Sequence, residues 1–409
     1  MELLWLVIAL LVLGHLYRLI LNIVQMRSAG NPTPENVSDV YDAETYEKWK
    51  RYSGEQGKLA IVSGALSFIV SLALLLTGAY AWAASLFPAG WFWQMLAVVL
   101  FDALVETLLG AVTGYYHTMV IEEKYGFNRS TLKTFIIDQI RDLLMGLVLN
   151  TVLVTLLAVL YRTMGDWVIL LFTGAIFCIS MLLSFLSPYI FRLGNKFTPL
   201  EEGELKEKLM ALLTKHGYQV KAIEVMDASR RTTKLNASFT GIGKNKTIIL
   251  FDNLLTAMST DEICAVFAHE LGHGLHKDIM KLQAMNIVNM FLTAVAAWLA
   301  VRTESLHTLF GFETVNYGFA YILMGIGLGM LQPLTSMLMS AYSRHAEYRA
   351  DYQAVSEGYG PMLITSLKKL ARENFAHLAP AKLQVVLEYS HPPLSQRIEA
   401  VEKALEESK

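Results

Sequence analysis

The sequence predicts a mostly α-helical fold: a polytopic membrane protein with seven transmembrane helices, joined to a folded module that contains a small β-sheet. Three observations predict it. Hydrophobic residues make up 54% of the 409-residue chain and charged residues only 17%, where ordinary soluble domains run at about 45–50% and about 25%. Seven stretches are apolar over roughly the 20 residues that a helix needs to cross a bilayer. Lys and Arg alternate between the loops that join them.

The stretches run roughly over 3–24, 60–86, 92–118, 143–161, 167–191, 284–301 and 315–340. The first is expected to be a retained helix rather than a removed signal peptide. His15, Tyr17 and Arg18 interrupt it, and apolar residues continue to Val24. Positive charge then sets orientation, because Lys and Arg are enriched on the cytoplasmic side. Arg27, Lys48, Lys50, Arg51 and Lys58 follow the first stretch, Lys124, Arg129, Lys133 and Arg141 the third, and Arg192 and Lys196 the fifth. The alternate loops hold almost none. The N-terminus is therefore expected outside, and the C-terminus and region 192–283 in the cytoplasm.

Region 192–283 has the periodicities of a folded module. Thr198-Pro199-Leu200-Glu201 reads as a capping box with proline at the first helical position. Leu205, Leu209, Leu212 and Leu213 recur at helical spacing, and Gly217 is a stop. Strands are expected around Val220 to Val225, Ala237 to Thr240 and Thr247 to Phe251, with Gly241 to Lys246 as a hairpin loop. A helix is expected from Thr260 to about Lys277. The tail reads as mixed helix with charged faces. The chain thus divides into 1–191, 192–283, 284–340 and 341–409. The polar 26–58 loop, with Asn31-Pro32-Thr33-Pro34, is expected to wrap against the module.

A formal net charge of −2 argues against a nucleic-acid partner, which leaves a basic footprint; the implied partner is the bilayer. Cys178 and Cys264 form no C-x-x-C pair and read as small buried hydrophobes, so neither a disulfide framework nor a cysteine metal site is available.

The chemistry concentrates at His269-Glu270-Leu271-Gly272-His273. Histidines four apart on a helix project from one face and can share one tetrahedral Zn2+, with Glu270 beside them as proton acceptor. Zinc lowers the pKa of water towards about 7. A third protein ligand is required. The motif that adds a histidine six residues on is excluded by Ile279. His276 is a weaker candidate, since a histidine at a helix C-terminus is favoured there in any case. Glu347 is the better one. In Glu347-Tyr348-Arg349-Ala350-Asp351 the two carboxylates lie one turn apart, so that Glu347 can ligate and Asp351 can accept the free ring N–H of a ligating histidine. Taken alone, Arg344, Glu347 and Arg349 also have the spacing of a solvated charged face.

These elements, with Ser390-His391-Pro392-Pro393-Leu394 and Arg397, resemble the integral-membrane CAAX prenyl endopeptidases, the type I zinc proteases. Ile121 to Asn128 is similar to a cytoplasmic loop of that family, and Asn236-Ala237 with Ile248–Leu255 to its substrate-strand region. The resemblance covers nearly the whole chain. It implies a gluzincin-type zinc protease module on the cytoplasmic face, a water-filled chamber enclosed by the seven helices, and endoproteolysis of membrane-associated peptides, including prenylated CAAX-type ones. It implies one Zn2+ on His269, His273 and Glu347, and places His391 and Arg397 near the metal. A histidine stiffened by two prolines suits an oxyanion donor, and Arg397 suits a second cation or a peptide-carbonyl ligand. Asn236 and Ala237 would meet the substrate. Asp102 with Glu106, and Asn286 with Asn289, suit either the chamber or helix–helix hydrogen bonding. The rival readings are a quality-control zinc protease, which usually has about four spans, a non-catalytic binding protein, for which Glu270 would be dispensable, and a transporter, which leaves the histidine pair unexplained.

Overall fold

The computed structural model describes residues 2–87, 90–192, 195–230, 232–240 and 245–408. Its helices and strands are α1 (Glu2–Ser28), α2 (Ala43–Leu76), α3 (Ala79–Ser85), α4 (Trp91–Tyr115), α5 (Glu123–Tyr125), α6 (Leu132–Met164), α7 (Val168–Phe191), β1 (Phe197–Pro199), α8 (Glu204–Lys215), β2 (Gln219–Met226), β3 (Ala237–Thr240), β4 (Asn245–Phe251), α9 (Asp252–Ala257), α10 (Thr260–His276), α11 (Asp278–Arg302), α12 (Glu304–Leu309), α13 (Tyr317–Ser356), α14 (Gly360–Glu373), α15 (Lys382–Leu387) and α16 (Leu394–Glu407). A π-helical turn, Tyr116–Glu122, continues α4 into α5.

Among the described residues, six helical stretches are long and apolar enough to cross a membrane: Glu2–Ser28, Ala43–Leu76, Trp91–Tyr125, Leu132–Leu186, Asp278–Arg302 and Tyr317–Ser356. Their outer faces leave large side chains such as Val62, Leu108, Val112 and Val148 uncovered, a surface that lipid rather than water solvates. The protein is a polytopic integral membrane protein. Leu132–Leu186 spans 55 residues, about 80 Å as one straight helix. It is not straight. Gly165 at φ 57 ends α6, a 3₁₀ turn follows over Gly165–Trp167, and α7 packs back against α6.

The expected 60–86 stretch differs from what forms. Asp42 caps α2 by accepting from the Thr45 N–H, so the helix begins at Ala43. It ends at Leu76, and Gly78 at φ 68 starts the separate α3, whose Tyr80 donates to Asp102 at 2.9 Å. The 26–58 segment does wrap inward, but against the C-terminal helices. Asn31 and Asn36 donate to the Ala379 and Ser395 carbonyls, Arg372 donates to the Val40 carbonyl, and Val37, Val40, Tyr41 and Trp49 pack with Ala371, Leu378 and Ile398. Cys264 is buried, whereas Cys178 lies on an exposed face of α7 within its apolar run.

A cavity of about 810 Å³ opens among α1, α2, α4 and α13, with His15, Arg18, Asp102, Glu106, Tyr321 and Gln332 in its wall. Its lining on α13 stops at Gln332, 15 residues before Glu347 or ~22 Å along the helix. Asn289 belongs to helix packing instead: it accepts from the Thr335 hydroxyl at 2.7 Å, joining α11 to α13.

The sheet has strand order β1-β2-β4-β3. The expected capping box at Thr198–Glu201 does not form. Thr198 and Pro199 pair antiparallel with Val225 and Glu224 of β2, because proline is tolerated on an edge strand, and α8 starts only after Gly203. Gly217, at φ 70, does end that helix. Strand β2 runs parallel to β4, and β3 antiparallel to it at the other edge. Gly241 to Lys244 lie outside the described residues. Leu209, Leu212 and Leu213 of α8 share a core with Ile223, Ile248, Leu250 and, from α10, Ile263, Phe267 and Leu271. The other side of α10, at Ala265 and Ala268, packs on Ala354, Val355, Leu363, Leu367 and Val401. The central helix is thus clamped between the sheet and the C-terminal helices.

Candidate metal centre

Ser259 starts α10 with a reciprocal cap: its side chain accepts from the Glu262 N–H while Glu262 accepts from the Ser259 N–H. From there the helix is buried through Ala268 and His269. Gly272 sets how closely it meets α13. A Cβ on Gly272 would lie 2.8 Å from the Ala350 Cα, so only glycine lets the two backbones come this near. That approach carries His269 and His273 onto Glu347 and Asp351, which share one face of α13.

His269, His273 and Glu347 each offer a ligand atom, and the three atoms lie within 4.8 Å of one another. His269 Nε2 is 3.4 Å from Glu347 Oε2, and His273 Nε2 is 3.2 Å from Glu347 Oε1. Glu347 Oε2 is buried and makes no hydrogen bond, although Arg397 Nη1 is 3.3 Å away. A buried carboxylate oxygen left in that state is costly. Two imidazole Nε2 atoms converging on this carboxylate, one at each oxygen, make the donor set of a divalent metal such as zinc. His276 is not in this group.

The outward ring nitrogens are held by carboxylates. His269 Nδ1 lies 2.8 Å from Asp351 Oδ1, which the sequence had paired with a histidine. His273 Nδ1 lies 3.1 Å from Asp278 Oδ2, and this partner was not foreseen. Lys277 adopts φ 56 between α10 and α11, a left-handed turn that costs a non-glycine residue roughly 1–2 kcal/mol. The turn folds Asp278 back onto the histidine. Tyr342 and Arg349 of α13 donate to Asp278 Oδ1 at 2.8 and 2.7 Å. The only local signal was an aspartate just past the helix end.

Arg397, on the first turn of α16, donates to Asp351 through Nε at 2.9 Å and Nη2 at 2.7 Å. Burial works against its cation, but the Asp351 charge and hydrogen bonds outweigh that and push its pKa up. His391 precedes buried Pro392 and Pro393, with Nε2 3.2 Å from Glu347 Oε1 and Nδ1 2.9 Å from the Ser390 hydroxyl. Desolvation by its surroundings lowers its pKa despite the Glu347 charge, although 64% of the side chain stays exposed. Glu270 is half-buried and lines a small apolar pocket with Ile248 and Leu250 of β4 and with Val266. Asn236 is exposed immediately before β3, and β3 runs beside α10. Of the nine site residues expected from the sequence, His269, His273, Glu347, Asp351, His391 and Arg397 are joined in one contact network.

Residues 22–193 match the family model described as CAAX prenyl protease N-terminal, five membrane helices, and residues 199–405 match peptidase family M48. A CAAX prenyl protease 1 homolog of Oryza sativa subsp. japonica is 30% identical over 412 residues, 97% of each chain. The CAAX prenyl protease 1 of Saccharomyces cerevisiae is 30% identical over 92% of this chain and 90% of its own. The crystal structure of S. mikatae Ste24p superposes with a TM-score of 0.89 at 27% identity, covering 97% of this chain and 98% of that one. Fold and site together define a membrane metalloendopeptidase. The chain belongs to peptidase family M48.

Proposed function

We propose that this enzyme is a zinc endopeptidase that cleaves membrane-associated peptides of the prenylated CAAX type, with His269, His273 and Glu347 holding the metal. The observation that carries this reading is the buried Glu347 carboxylate, with one oxygen unbonded, facing the Nε2 atoms of two imidazoles. The substrate class rests on the relatives, named CAAX prenyl proteases along nearly their whole length. Bound there, zinc supplies a Lewis acid that activates water and polarises the scissile carbonyl. Glu270 takes the proton from the attacking water and returns it to the leaving amine. Asp351 and Asp278 fix which ring nitrogens of His269 and His273 face the metal. Arg397 holds Asp351 and balances the charge of the two α13 carboxylates. Strand β3, with Asn236 and Ala237, is a sheet edge to which an extended peptide adds by main-chain hydrogen bonds. Purified enzyme should cleave a prenylated CAAX peptide in preference to its unprenylated twin. Equal cleavage of both would overturn the substrate assignment.

His391 donates to the oxyanion that develops on the former carbonyl. His391→Ala should keep its metal and fold while kcat falls by roughly 10²–10³-fold, the usual loss for one such donor. Unchanged kcat would reduce the histidine to part of the Pro-Pro turn.

The turn at Gly165–Trp167 supports seven spans, since α6 and α7 are each long enough to cross a bilayer. With the Lys and Arg bias, seven spans put the metal centre on the cytoplasmic side and the N-terminus outside. With Cys178 replaced, single cysteines near Lys50 and Lys133 should react only from the cytoplasm and one near Thr303 only from outside. Labelling of all three from one side would break this topology.

A further inference from the structure

Away from the metal, a buried charge cluster joins the membrane helices to the segment that leads into β3. Glu122 ends the π-helical turn after α4 and is 7% exposed. Its carboxylate accepts a short hydrogen bond from the Tyr52 hydroxyl of α2, and Lys234 Nζ lies 3.2 Å from its second oxygen. Lys234 also donates to the Tyr52 oxygen at 3.1 Å and sits 5.0 Å from the Phe127 ring centroid. Gln56 of α2 donates to the same carboxylate at 3.3 Å.

The chain around Lys234 is pinned on every side. Thr232 bridges to Asn128, and the Thr233 N–H donates to the Phe127 carbonyl at 3.3 Å. Asn253 donates to the Lys234 carbonyl at 2.8 Å. Leu235 exchanges two hydrogen bonds with the Asn374 side chain, at 2.9 and 3.1 Å. Strand β3 begins at Ala237, three residues after Lys234. Glu122 is buried while the Lys234 side chain is 34% exposed; such a pair contributes little net stability but leaves a buried carboxylate uncompensated when the cation is lost, which suits fixing one arrangement rather than adding stability. Two observations therefore point the same way: a π-turn, a helix irregularity that clusters at functional sites, and a cation tied to it just before an edge strand.

We infer that Lys234 is a positioning residue for the substrate. Its ion pair with Glu122, shared with Tyr52, anchors the entry to β3 to the membrane helices, and so sets the height above the bilayer and the register at which an extended peptide meets the metal centre. The inference rests on the edge-strand reading of β3. Other residues carry the chemistry of hydrolysis, and this one aligns the peptide.

The test uses full-length, metal-loaded enzyme in lipid nanodiscs and a prenylated CAAX peptide. Lys234→Met should raise KM by roughly tenfold with kcat changed less than about twofold, the signature of lost uniform binding. Metal content should stay near wild type, while the thermal midpoint falls in Lys234→Met, where buried Glu122 is left without its cation. Tyr52→Phe, a milder change should Lys234→Met fold poorly, should move KM in the same direction, and Lys234→Arg should restore most of the loss. The double variant Lys234→Met/Glu122→Gln should be no worse than the worse single one, because both remove the same contact. A fall in kcat with metal loss, or an unchanged KM in both Lys234→Met and Tyr52→Phe, overturns the inference. A peptide N-methylated at successive bonds separates the two ideas in wild-type enzyme. If N-methylation raises KM while the Lys234 and Tyr52 variants do not, the edge strand stands and the anchor falls. If N-methylation is silent at every bond, both fall.

Discussion

Glu347→Ala is expected to lose its metal and, with it, measurable hydrolysis. Glu347 is the one carboxylate among the three clustered ligand atoms, and it comes from a different helix than the two histidines. Its removal leaves two imidazoles, with no anionic ligand to neutralise a dication. It also leaves Arg397 facing Asp351 alone, so the remaining cation sits where metal charge would be needed. Metal analysis of the purified variant is the primary readout, with peptide hydrolysis as the second. Asp351→Ala supplies the graded comparison. That change leaves all three ligand atoms in place, takes the carboxylate partner from His269 Nδ1 and leaves Arg397 with Glu347 as its remaining carboxylate, and should cost roughly 10–100-fold in metal affinity or activity. Full metal occupancy in Glu347→Ala would move the third ligand elsewhere, and His276 would become the first position to substitute.

Glu270→Gln should separate binding of the metal from the chemistry. Glu270 is adjacent to His269 in sequence, yet it is not among the clustered ligand atoms. Its side chain lines a small apolar pocket with Ile248 and Leu250 on the sheet side of α10. Glutamine keeps the shape and cannot accept the proton. Metal content and the unfolding midpoint should therefore match wild type while kcat drops by roughly 10²–10⁴-fold, the range for loss of one general base. Near-normal turnover would remove Glu270 from the mechanism.

What could be seen in the sequence, and what could not, divides along the range of the interactions. The two histidines and Glu270 are fixed relative to one another by the helical repeat alone, as are Glu347 and Asp351, so both constellations could be written down before any fold existed. The apolar stretches and the strands over β2, β3 and β4 follow from composition and from period in the same way. Local pattern failed where a neighbour in space overrode it. Thr198 to Glu201 has the residues of a helix start, but an unpaired edge of β2 recruits the first two into the sheet. The end of α2 at Leu76 depends on a left-handed turn at Gly78 and on Tyr80 finding Asp102.

The sequence by itself determined the class of chemistry: two histidines with a glutamate on one helix, a carboxylate pair on another, and a set of long apolar helices beside them. Only the tertiary structure decided that these helices meet. Gly272 has no side chain to hold α10 and α13 apart, and the resulting approach turns two separate one-turn patterns into one site. The left-handed Lys277 turn that brings Asp278 to His273, and the packing of Lys234 onto Glu122 and Tyr52, were likewise beyond a sequence reading. A helix repeat relates residues three and four apart, whereas these contacts join side chains brought together by packing between elements, which no local periodicity encodes.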